Sequence, residues 1–300
     1  MIYISGIIVF VLILFFYIHI IFYIKTNDDL DIYDIEMPTK DKLEEICDMR
    51  QPIIFSFFND AINNSFSRKS ICNLYGAYDV NLRNVKNKIE DDEELYIPIS
   101  FNDSINLLDS DTDKQYLVEN SDDFLEETTL KQIMRANDSY LRPYTVSSCI
   151  YDLNIATAGT QTPFRYELNY RNYFYVSEGE VKIKLAPPKS VKYLSEIRDY
   201  DNFEFISPIN PWDIQDKYKT DFSKVKCLDV TIYKGQIIFI PAYWWYSFEF
   251  GENATLCVFK YKTYMNSVAI LPKTMMGLLQ SQNIKRISFN KIDLTSSKIE

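Results

Sequence analysis

The stretch FIPAYWWYSFE, from Phe239 to Glu249, decides the fold. It follows Gly235 and a β-rich run, and it joins a proline to a pair of tryptophans and a further aromatic run. Two pieces precede it along the chain: NIATAGTQTPFRYELNYRNYFYV (Asn154 to Val176) and EGEVKIKLAPP (Glu178 to Pro188). From Ser147 onward, β-branched and aromatic runs alternate with turn residues, a pattern typical of an antiparallel sandwich or barrel.

The N-terminal half has a mixed pattern that predicts a smaller α+β portion. KDKLEEICDM (Lys40 to Met49) and SRKSICNLYG, which ends at Gly76, predict short helices, and QPIIFSFF (Gln51 to Phe58) predicts a buried strand. FLEETTLKQIMRA, from Phe124 to Ala136, is amphipathic and predicts one helix. From Asn266 onward the sequence predicts a helix around MMGLLQSQ and a polar end.

In this order and spacing, the three β-rich pieces resemble the JmjC or cupin-like family of iron(II)/2-oxoglutarate oxygenases, in particular the branch of asparaginyl and other protein hydroxylases. The resemblance covers residues 45 to 262. It implies a mainly β fold, a double-stranded β-helix (jelly-roll or cupin) barrel with flanking helices. In the family, the barrel mouth holds Fe(II) on two histidines and one carboxylate, which leaves positions open for oxygen and the co-substrate.

The three ligand positions of the family are altered in this chain. The motif T-P-x-H-x-D supplies the first histidine and the carboxylate, and the matching letters here are TPFRYE. Arg165 therefore stands in place of the first histidine and Glu167 in place of the aspartate. Tyr246, after the paired tryptophans, stands in place of the distal histidine. The resemblance implies a degenerate metal site.

The co-substrate positions are altered as well. The resemblance assigns Thr162, Asn172 and Val181 to the former 2-oxoglutarate pocket, and Val181 occupies the slot where the hydroxylase-like branch has a lysine. Period-two alternation points Val181 into the barrel and Lys182 outward, so the neighbouring lysine cannot replace the missing one without reversing the strand. We therefore expect neither iron nor 2-oxoglutarate as a cofactor.

The histidine count supports this expectation without any alignment. The chain has one histidine, His19, which lies in the apolar N-terminal segment. Arginine cannot substitute as a ligand, because it stays protonated and offers no lone pair. We hypothesise that the Arg165 guanidinium replaces the charge of the metal by pairing with Glu167 and donating to the Tyr246 hydroxyl. In the alternative, Arg165 points to solvent and Phe and Tyr side chains repack the mouth.

The first segment, MIYISGIIVFVLILFFYIHIIFYI, runs from Met1 to Ile24. As a helix it would extend about 36 Å, enough to cross a hydrocarbon core of about 30 Å. It lacks a basic n-region and a small-residue cleavage site, so an uncleaved single-span anchor is predicted rather than a signal peptide. Lys25 and the lysines that follow it favour a cytosolic C-terminal domain. Four Asn-x-Ser/Thr sequons oppose that orientation, at Asn63, Asn102, Asn137 and Asn253.

Charge and cysteine content exclude other classes of protein. A net charge of −10 argues against a nucleic-acid partner, since phosphate binding needs clustered Lys and Arg. Five scattered cysteines show no zinc spacing. Acidic runs at residues 27–36 and 103–127 are interpreted as solvated surface. The predicted organisation is an anchor (1–24), an acidic tether (25–44), the barrel domain (45–265) and a C-terminal helix with a polar tail (266–300).

Together these features predict a membrane-anchored pseudoenzyme whose barrel is a protein-binding or structural module. Its predicted partners are the lipid bilayer and an unknown protein. Few glycines and abundant Ile, Asn, Tyr and Lys are typical of AT-rich genomes, including those of large DNA viruses, which extends the interpretation to a viral or virus-factory membrane. Two alternatives stay open: an oxygenase or other cupin enzyme with an unusual metal centre, and a barrel that binds a small anionic ligand through Arg165.

Overall fold

Helices alternate with short strands in the N-terminal half of the chain. A computed structural model describes residues 2–86 and 95–287. The helices of this half are α1 (Ile2–Ile24), α2 (Lys40–Cys47), α3 (Asp60–Ser65), α4 (Arg68–Tyr75), α5 (Phe101–Ser110), α6 (Asp122–Glu127) and α7 (Leu130–Asn137). The strands are β1 (Tyr33–Ile35), β2 (Ile53–Ser56), β3 (Asp79–Asn84), β4 (Ile97–Ser100) and β5 (Tyr116–Val118).

The C-terminal half consists mainly of strands. They are β6 (Val146–Ala156), β7 (Arg165–Tyr166), β8 (Arg171–Glu178), β9 (Glu180–Ala186), β10 (Ile197–Asp199), β11 (Glu204–Ile206), β12 (Leu228–Tyr233), β13 (Gln236–Phe239), β14 (Trp245–Phe250) and β15 (Thr255–Thr263). The helices are α8 (Lys219–Phe222), α9 (Tyr264–Ala269) and α10 (Leu271–Ile287), and 3₁₀ turns occupy Pro188–Tyr193 and Asp216–Tyr218.

Two sheets form the barrel. The larger sheet has nine strands in the order β1-β2-β13-β8-β15-β6-β5-β3-β4, and the smaller has six in the order β10-β11-β7-β14-β9-β12. Except for the parallel pair β1–β2, neighbouring strands run antiparallel. This is the predicted class of mainly β barrel with flanking helices, and the structure confirms it.

In each strand every second side chain points inward, and these inward side chains fill the space between the two sheets. Gly179 makes the tight turn between β8 and β9 at φ +72°, where a Cβ atom would lie 2.6 Å from the Glu252 carbonyl oxygen. Only glycine fits that turn. The buried side chains between the sheets include Phe174, Val176, Val181, Ile183, Leu185, Phe248, Phe250, Leu256 and Val258.

The opposite face of the larger sheet is covered by the helices of the N-terminal half. Polar caps begin these helices: Thr39, Asn59, Ser67 and Ser100 each accept a hydrogen bond from a backbone N–H of the first turn. Their apolar sides pack on the sheet in one buried cluster that includes Leu43, Ile62, Ile71, Phe124, Met134, Tyr173, Tyr175 and Phe259.

The predicted helix from Phe124 to Ala136 is two helices in the structure, so that prediction is wrong. Thr129 adopts a left-handed conformation with φ of 62°, which a continuous right-handed helix cannot contain. The Thr128 hydroxyl donates to the Phe124 carbonyl oxygen at 2.6 Å and closes the end of α6. The amphipathic spacing continues across the break, and the sequence pattern therefore gives no sign of it.

The apolar N-terminal segment forms α1, whose residues Tyr3–Ile24 have a mean hydropathy of 2.9 over their most apolar window. By length and composition this helix can span a membrane, although a signal sequence meets the same criteria. The last turn of α1 contacts the barrel domain: the Tyr23 ring lies 4.9 Å from the Tyr170 ring, and the Arg50 guanidinium lies 5.1 Å from the Phe22 ring.

The segment predicted as a solvated tether, residues 25–44, is not a free linker. β1 pairs with β2 at the edge of the larger sheet. The Asp28 carboxylate accepts a hydrogen bond from the Lys189 backbone N–H at 2.8 Å. The acidic residues here are mostly exposed, but the backbone between them is held to the domain.

Candidate functional site

The residues that the resemblance matches to the three metal-ligand positions lie together at one end of the barrel. β7 pairs with β14 so that Arg165 stands opposite Tyr246, and Glu167 follows β7 directly. All three side chains line a cavity of about 400 Å³. The short strand β7 therefore brings the N-terminal motif against the segment that follows the paired tryptophans.

Arg165 pairs with Glu119, which lies at the end of β5, and not with Glu167 as the sequence hypothesis had it. The Arg165 Nη1 to Glu119 Oε2 distance is 2.7 Å, and the Arg165 side chain is 12% exposed. The alternative with a solvent-facing arginine is therefore also wrong. The hypothesis failed because β5 contributes the nearest buried carboxylate, and its contact with β7 is not encoded in local spacing.

Glu119 bridges two arginines. Its second oxygen, Oε1, accepts from Arg83 Nη1 at 2.7 Å, and Arg83 also contacts Glu204 at 2.8 Å. Burial raises the pKa of the Glu119 carboxyl, but the attraction of Arg165 and Arg83 outweighs it and lowers the pKa from 4.5 to about 2. Glu119 is thus held as a carboxylate between two buried cations.

Glu167 is the centre of a second cluster of polar side chains. Its Oε1 accepts from Lys260 Nζ at 2.7 Å and from the Tyr246 hydroxyl at 3.0 Å. Asn169 Nδ2 donates to Oε2 at 3.3 Å. Burial alone would raise the pKa of Glu167, but the charges of Lys260 and Arg165 and the hydrogen bonds from Lys260 and Tyr246 together outweigh it and lower the pKa.

Tyr246 connects the two clusters. Its ring is buried, and the Arg165 guanidinium carbon lies 5.7 Å from the ring centroid. Burial first, and the negative charge of Glu167 second, hold the pKa of the Tyr246 hydroxyl well above its ordinary value. The tyrosine is therefore a neutral donor to Glu167 and a poor source of phenolate.

Asp152 and Asn154, both on β6, also line the cavity. Burial raises the pKa of Asp152, although backbone N–H groups of Ser121 and Asn120 donate to its carboxylate. Asn154 is buried, and its Oδ1 has no hydrogen-bond partner within the described part of the chain. The same holds for Arg165 Nε among the described residues. Both atoms belong to side chains that line the cavity.

The residues assigned to the former co-substrate pocket serve the barrel itself. Thr162 Oγ1 accepts from the Phe248 backbone N–H at 2.9 Å, and Asn172 Nδ2 donates to the Ile240 carbonyl oxygen at 3.1 Å. Val181 is fully buried, opposite Ile232 on one neighbouring strand and Phe250 on the other. Thr162, Asn172 and Val181 do not line the cavity that the described part of the chain forms around Arg165 and Tyr246.

The residues present do not fit an iron ion of the family type. Arg165 is cationic, Tyr246 keeps its proton, and Glu167 is already bonded to Lys260 and Tyr246. Within residues 2–86 and 95–287, no group of three or more His, Cys, Asp or Glu side chains is arranged to hold a metal. The cavity has instead two ion pairs, Arg165–Glu119 and Lys260–Glu167.

Sequence reasoning missed Glu119 and Lys260. For Lys260 a signal existed, because Leu256 and Val258 point into the barrel and period-two alternation puts Lys260 on the same face. Glu119 lies within the acidic run 103–127 that was interpreted as solvated surface, yet it is 3% exposed. For this residue that interpretation was wrong, since its partners come from strands distant in sequence.

Two facing sheets with a motif-bearing strand at the barrel mouth define the class as a double-stranded β-helix of JmjC type. The chain belongs to the family described as the cupin-like domain, whose model matches residues 40–261. This match confirms the resemblance stated above.

Several curated proteins that are similar to this chain are named HSPB1-associated protein 1. HSPB1-associated protein 1 of Rattus norvegicus and of Bos taurus are each 27% identical to this chain over 105 residues. The homologue of Homo sapiens gives the same identity over the same length. The aligned stretch is 35% of this chain and spans about a fifth (22%) of the length of these relatives.

Proposed function

We propose that the chain is a non-catalytic cupin-like module that α1 anchors in a membrane and that binds a protein partner. The ion pair between Arg165 and Glu119 carries the proposal. It puts a guanidinium, fixed by a buried carboxylate, at the position where the family binds its metal through a histidine.

The cost of rebuilding a metal site supports this reading. For a cation to bind near Glu167, Lys260 would have to leave the carboxylate, and Arg165 would repel the incoming ion. Removing Arg165 from Glu119 would leave a buried carboxylate with one partner fewer, which is strongly unfavourable. In this arrangement Arg165 and Glu167 each have a partner of opposite charge within the chain, so charge balance does not require a metal.

Membrane attachment and protein binding rest on separate observations. The length and hydropathy of α1 support an anchor, and the contacts of Phe22 and Tyr23 with the domain support its retention in the mature chain. The name of the similar proteins states an association with HSPB1, which supports a protein-binding role for this kind of module. A cytosolic location, and a viral or virus-factory membrane, extend the proposal on sequence composition alone.

Iron binding by the full-length protein in detergent tests the proposal. The protein is incubated anaerobically with Fe(II) and 2-oxoglutarate and dialysed, and iron per chain is then measured by mass spectrometry. In a parallel sample with oxygen, succinate is followed by NMR. We expect no stoichiometric iron and no succinate above that of a protein-free sample. One iron per chain in the unmodified protein would overturn the proposal.

The matched variant restores the family ligands: Arg165→His, Glu167→Asp and Tyr246→His in one chain. These changes supply two imidazoles and a carboxylate at adjacent positions of the barrel mouth. We expect this variant to retain more iron than the unmodified protein under the same dialysis. Equal iron retention by the two proteins would show that the three substitutions are not what removes the metal.

The cavity supports a second function, the binding of a small anion. Arg165 Nε is a buried donor with no partner within the described residues, and the Arg165 side chain lines a cavity of about 400 Å³. A guanidinium with a free donor suits a carboxylate. Thermal unfolding with millimolar dicarboxylates, 2-oxoglutarate among them, tests this: a ligand raises the unfolding temperature, and no rise with any of them counts against it.

A further inference from the structure

The C-terminal helices expose a continuous apolar stripe. In helical projection six exposed apolar residues of α9 and α10 fall on one side, because each of them lies three or four positions from another member of the set. They are Tyr264 (65% exposed), Val268 (36%), Leu271 (50%), Met275 (52%), Leu278 (60%) and Leu279 (56%). We call this set the C-terminal stripe.

The opposite side of α10 attaches the helix to the barrel domain. Lys273 Nζ lies 4.9 Å from the centroid of the Tyr243 ring, and Gln280 Nε2 donates to Asp201 at 3.0 Å. A Cβ atom on Gly277 would lie 3.2 Å from the Tyr200 carbonyl oxygen, so the backbone of α10 is close to the domain there. These contacts fix the rotation of α10 and point the stripe away from the barrel.

The charge of this segment is unlike that of the rest of the chain. Tyr264 to Ile287 contains no Asp or Glu, and besides the barrel-facing Lys273 it contains Lys285 and Arg286, in a protein whose net charge is −10. Acidic side chains would be repelled by anionic headgroups, whereas lysine and arginine are attracted to them. An apolar stripe on a segment without acidic residues fits a lipid surface better than an average protein surface.

The stripe is also next to the membrane-spanning candidate. α1 packs against α9, and His19, Ile20 and Tyr23 in the last turns of α1 are partly buried. The stripe begins at Tyr264, at the start of α9. The exposed apolar surface of α1 and that of the stripe therefore meet where α1 joins the domain.

We propose that α9 and α10 lie in the headgroup–acyl boundary of the bilayer beside α1, with the C-terminal stripe against the lipid. This rests on the proposed anchoring by α1. The barrel is then held by two membrane contacts rather than by one helix, and its orientation is fixed. Because Asp201 and Phe203 line the mouth cavity and α10 packs against their loop, the mouth lies on the membrane-proximal side.

Lipid photo-crosslinking of the full-length protein tests the proposal. A benzoylphenylalanine is placed singly at Met275, at Leu278, at Val9 in α1, or at Leu74, an exposed residue of α4 that is 68% accessible. Each protein is reconstituted in nanodiscs of phosphatidylcholine and phosphatidylserine, irradiated, and analysed by intact-protein mass spectrometry. We expect lipid adducts at Val9, Met275 and Leu278, several-fold above the yield at Leu74.

The outcomes separate this inference from the anchoring on which it rests. Lipid adducts at Val9 with only background yield at Met275 and Leu278 would overturn the contact of α10 and leave the anchor intact. Absence of adducts at Val9 would overturn anchoring by α1 and the inference together. Crosslinks from Met275 to a second copy of the chain would assign the stripe to a protein interface and overturn the lipid assignment.

Discussion

Glu119→Gln should destabilise the barrel strongly, because it removes the carboxylate that is ion-paired with both Arg83 and Arg165. The Arg83 side chain is 5% exposed and that of Arg165 is 12% exposed, so neither guanidinium is well solvated. Breaking a buried ion pair by removing one partner costs about 3–5 kcal/mol. We expect a loss at the lower end of that range, since Arg83 keeps its contact with Glu204.

The pKa of Glu119 gives an independent magnitude. Its fall from 4.5 to about 2 on folding corresponds to about 3 kcal/mol, at about 1.4 kcal/mol for each tenfold change in proton affinity. Because the folded-state pKa is the lower one, this stability is fully present above about pH 4.5. It is lost as the pH falls toward about 2, and less than half of it remains at about pH 3.

Thermal unfolding in mild detergent, followed by tryptophan fluorescence, measures both effects. At pH 7 the Glu119→Gln protein should unfold about 6–12 °C below the unmodified protein, given about 2–4 °C per kcal/mol for a domain of this size. At pH 3 the difference should shrink to less than half. The matched control is Glu45→Gln, whose carboxylate pairs with Lys42 and is 71% exposed. An exposed pair contributes at most about 1 kcal/mol, so this variant should stay within a few degrees.

Two results would refute the reasoning. In the first, Glu119→Gln unfolds at the same temperature as the unmodified protein at pH 7, which would mean that the two arginines do not depend on the carboxylate. Alternatively, the difference between the two proteins could stay constant from pH 7 to pH 3, which would show that the pKa of Glu119 is not depressed by folding.

Two further predictions concern other parts of the barrel. Lys260→Met should lower the free energy of unfolding by about 2 kcal/mol, because Glu167 loses the cation that stabilises its charge; adding Glu167→Gln should recover part of that loss. Denaturant titrations of the single and double variants check this, and strictly additive losses would contradict it. Gly179→Ala should cost about 2 kcal/mol, since its φ of +72° and the nearby Glu252 carbonyl oxygen exclude a Cβ atom; an unchanged unfolding temperature would contradict that conclusion.

The sequence predicted the barrel well because its strands carry local signals. Alternating apolar residues, paired tryptophans and a glycine turn each constrain the chain within a few positions, and they agree with one another. The resemblance to the family's motifs, rather than local pattern, assigned Arg165, Glu167 and Tyr246 to matching positions, and the structure brings all three to one cavity. The direct pairing of β7 with β14 brings these residues together, because it puts Arg165 opposite Tyr246.

The partners of these residues could not be predicted from the sequence in the same way. Glu119 reaches Arg165 across 46 positions of sequence, and the acidic residues that follow it, Asp122, Asp123, Glu126 and Glu127, are exposed. Long-range pairing of this kind depends on how the larger sheet, which contains β5, packs against the smaller sheet, which contains β7. The break between α6 and α7 was missed for another reason: backbone conformation at Thr129 leaves the amphipathic spacing unchanged.

If Arg165, Glu167 and Tyr246 occupy former metal-ligand positions, as we propose, the two ion pairs account for the charge balance at the barrel mouth. A metal ion supplies positive charge that neutralises the carboxylate beside it. In this chain Lys260 supplies that charge to Glu167, and Arg165 is neutralised in turn by Glu119 from the other sheet. Each substitution is tolerable only because the other buried charges match it. Restoring one histidine at Arg165 would therefore leave Glu119 with Arg83 as its remaining cation, and we expect the restored ligand set to be less stable than the present one.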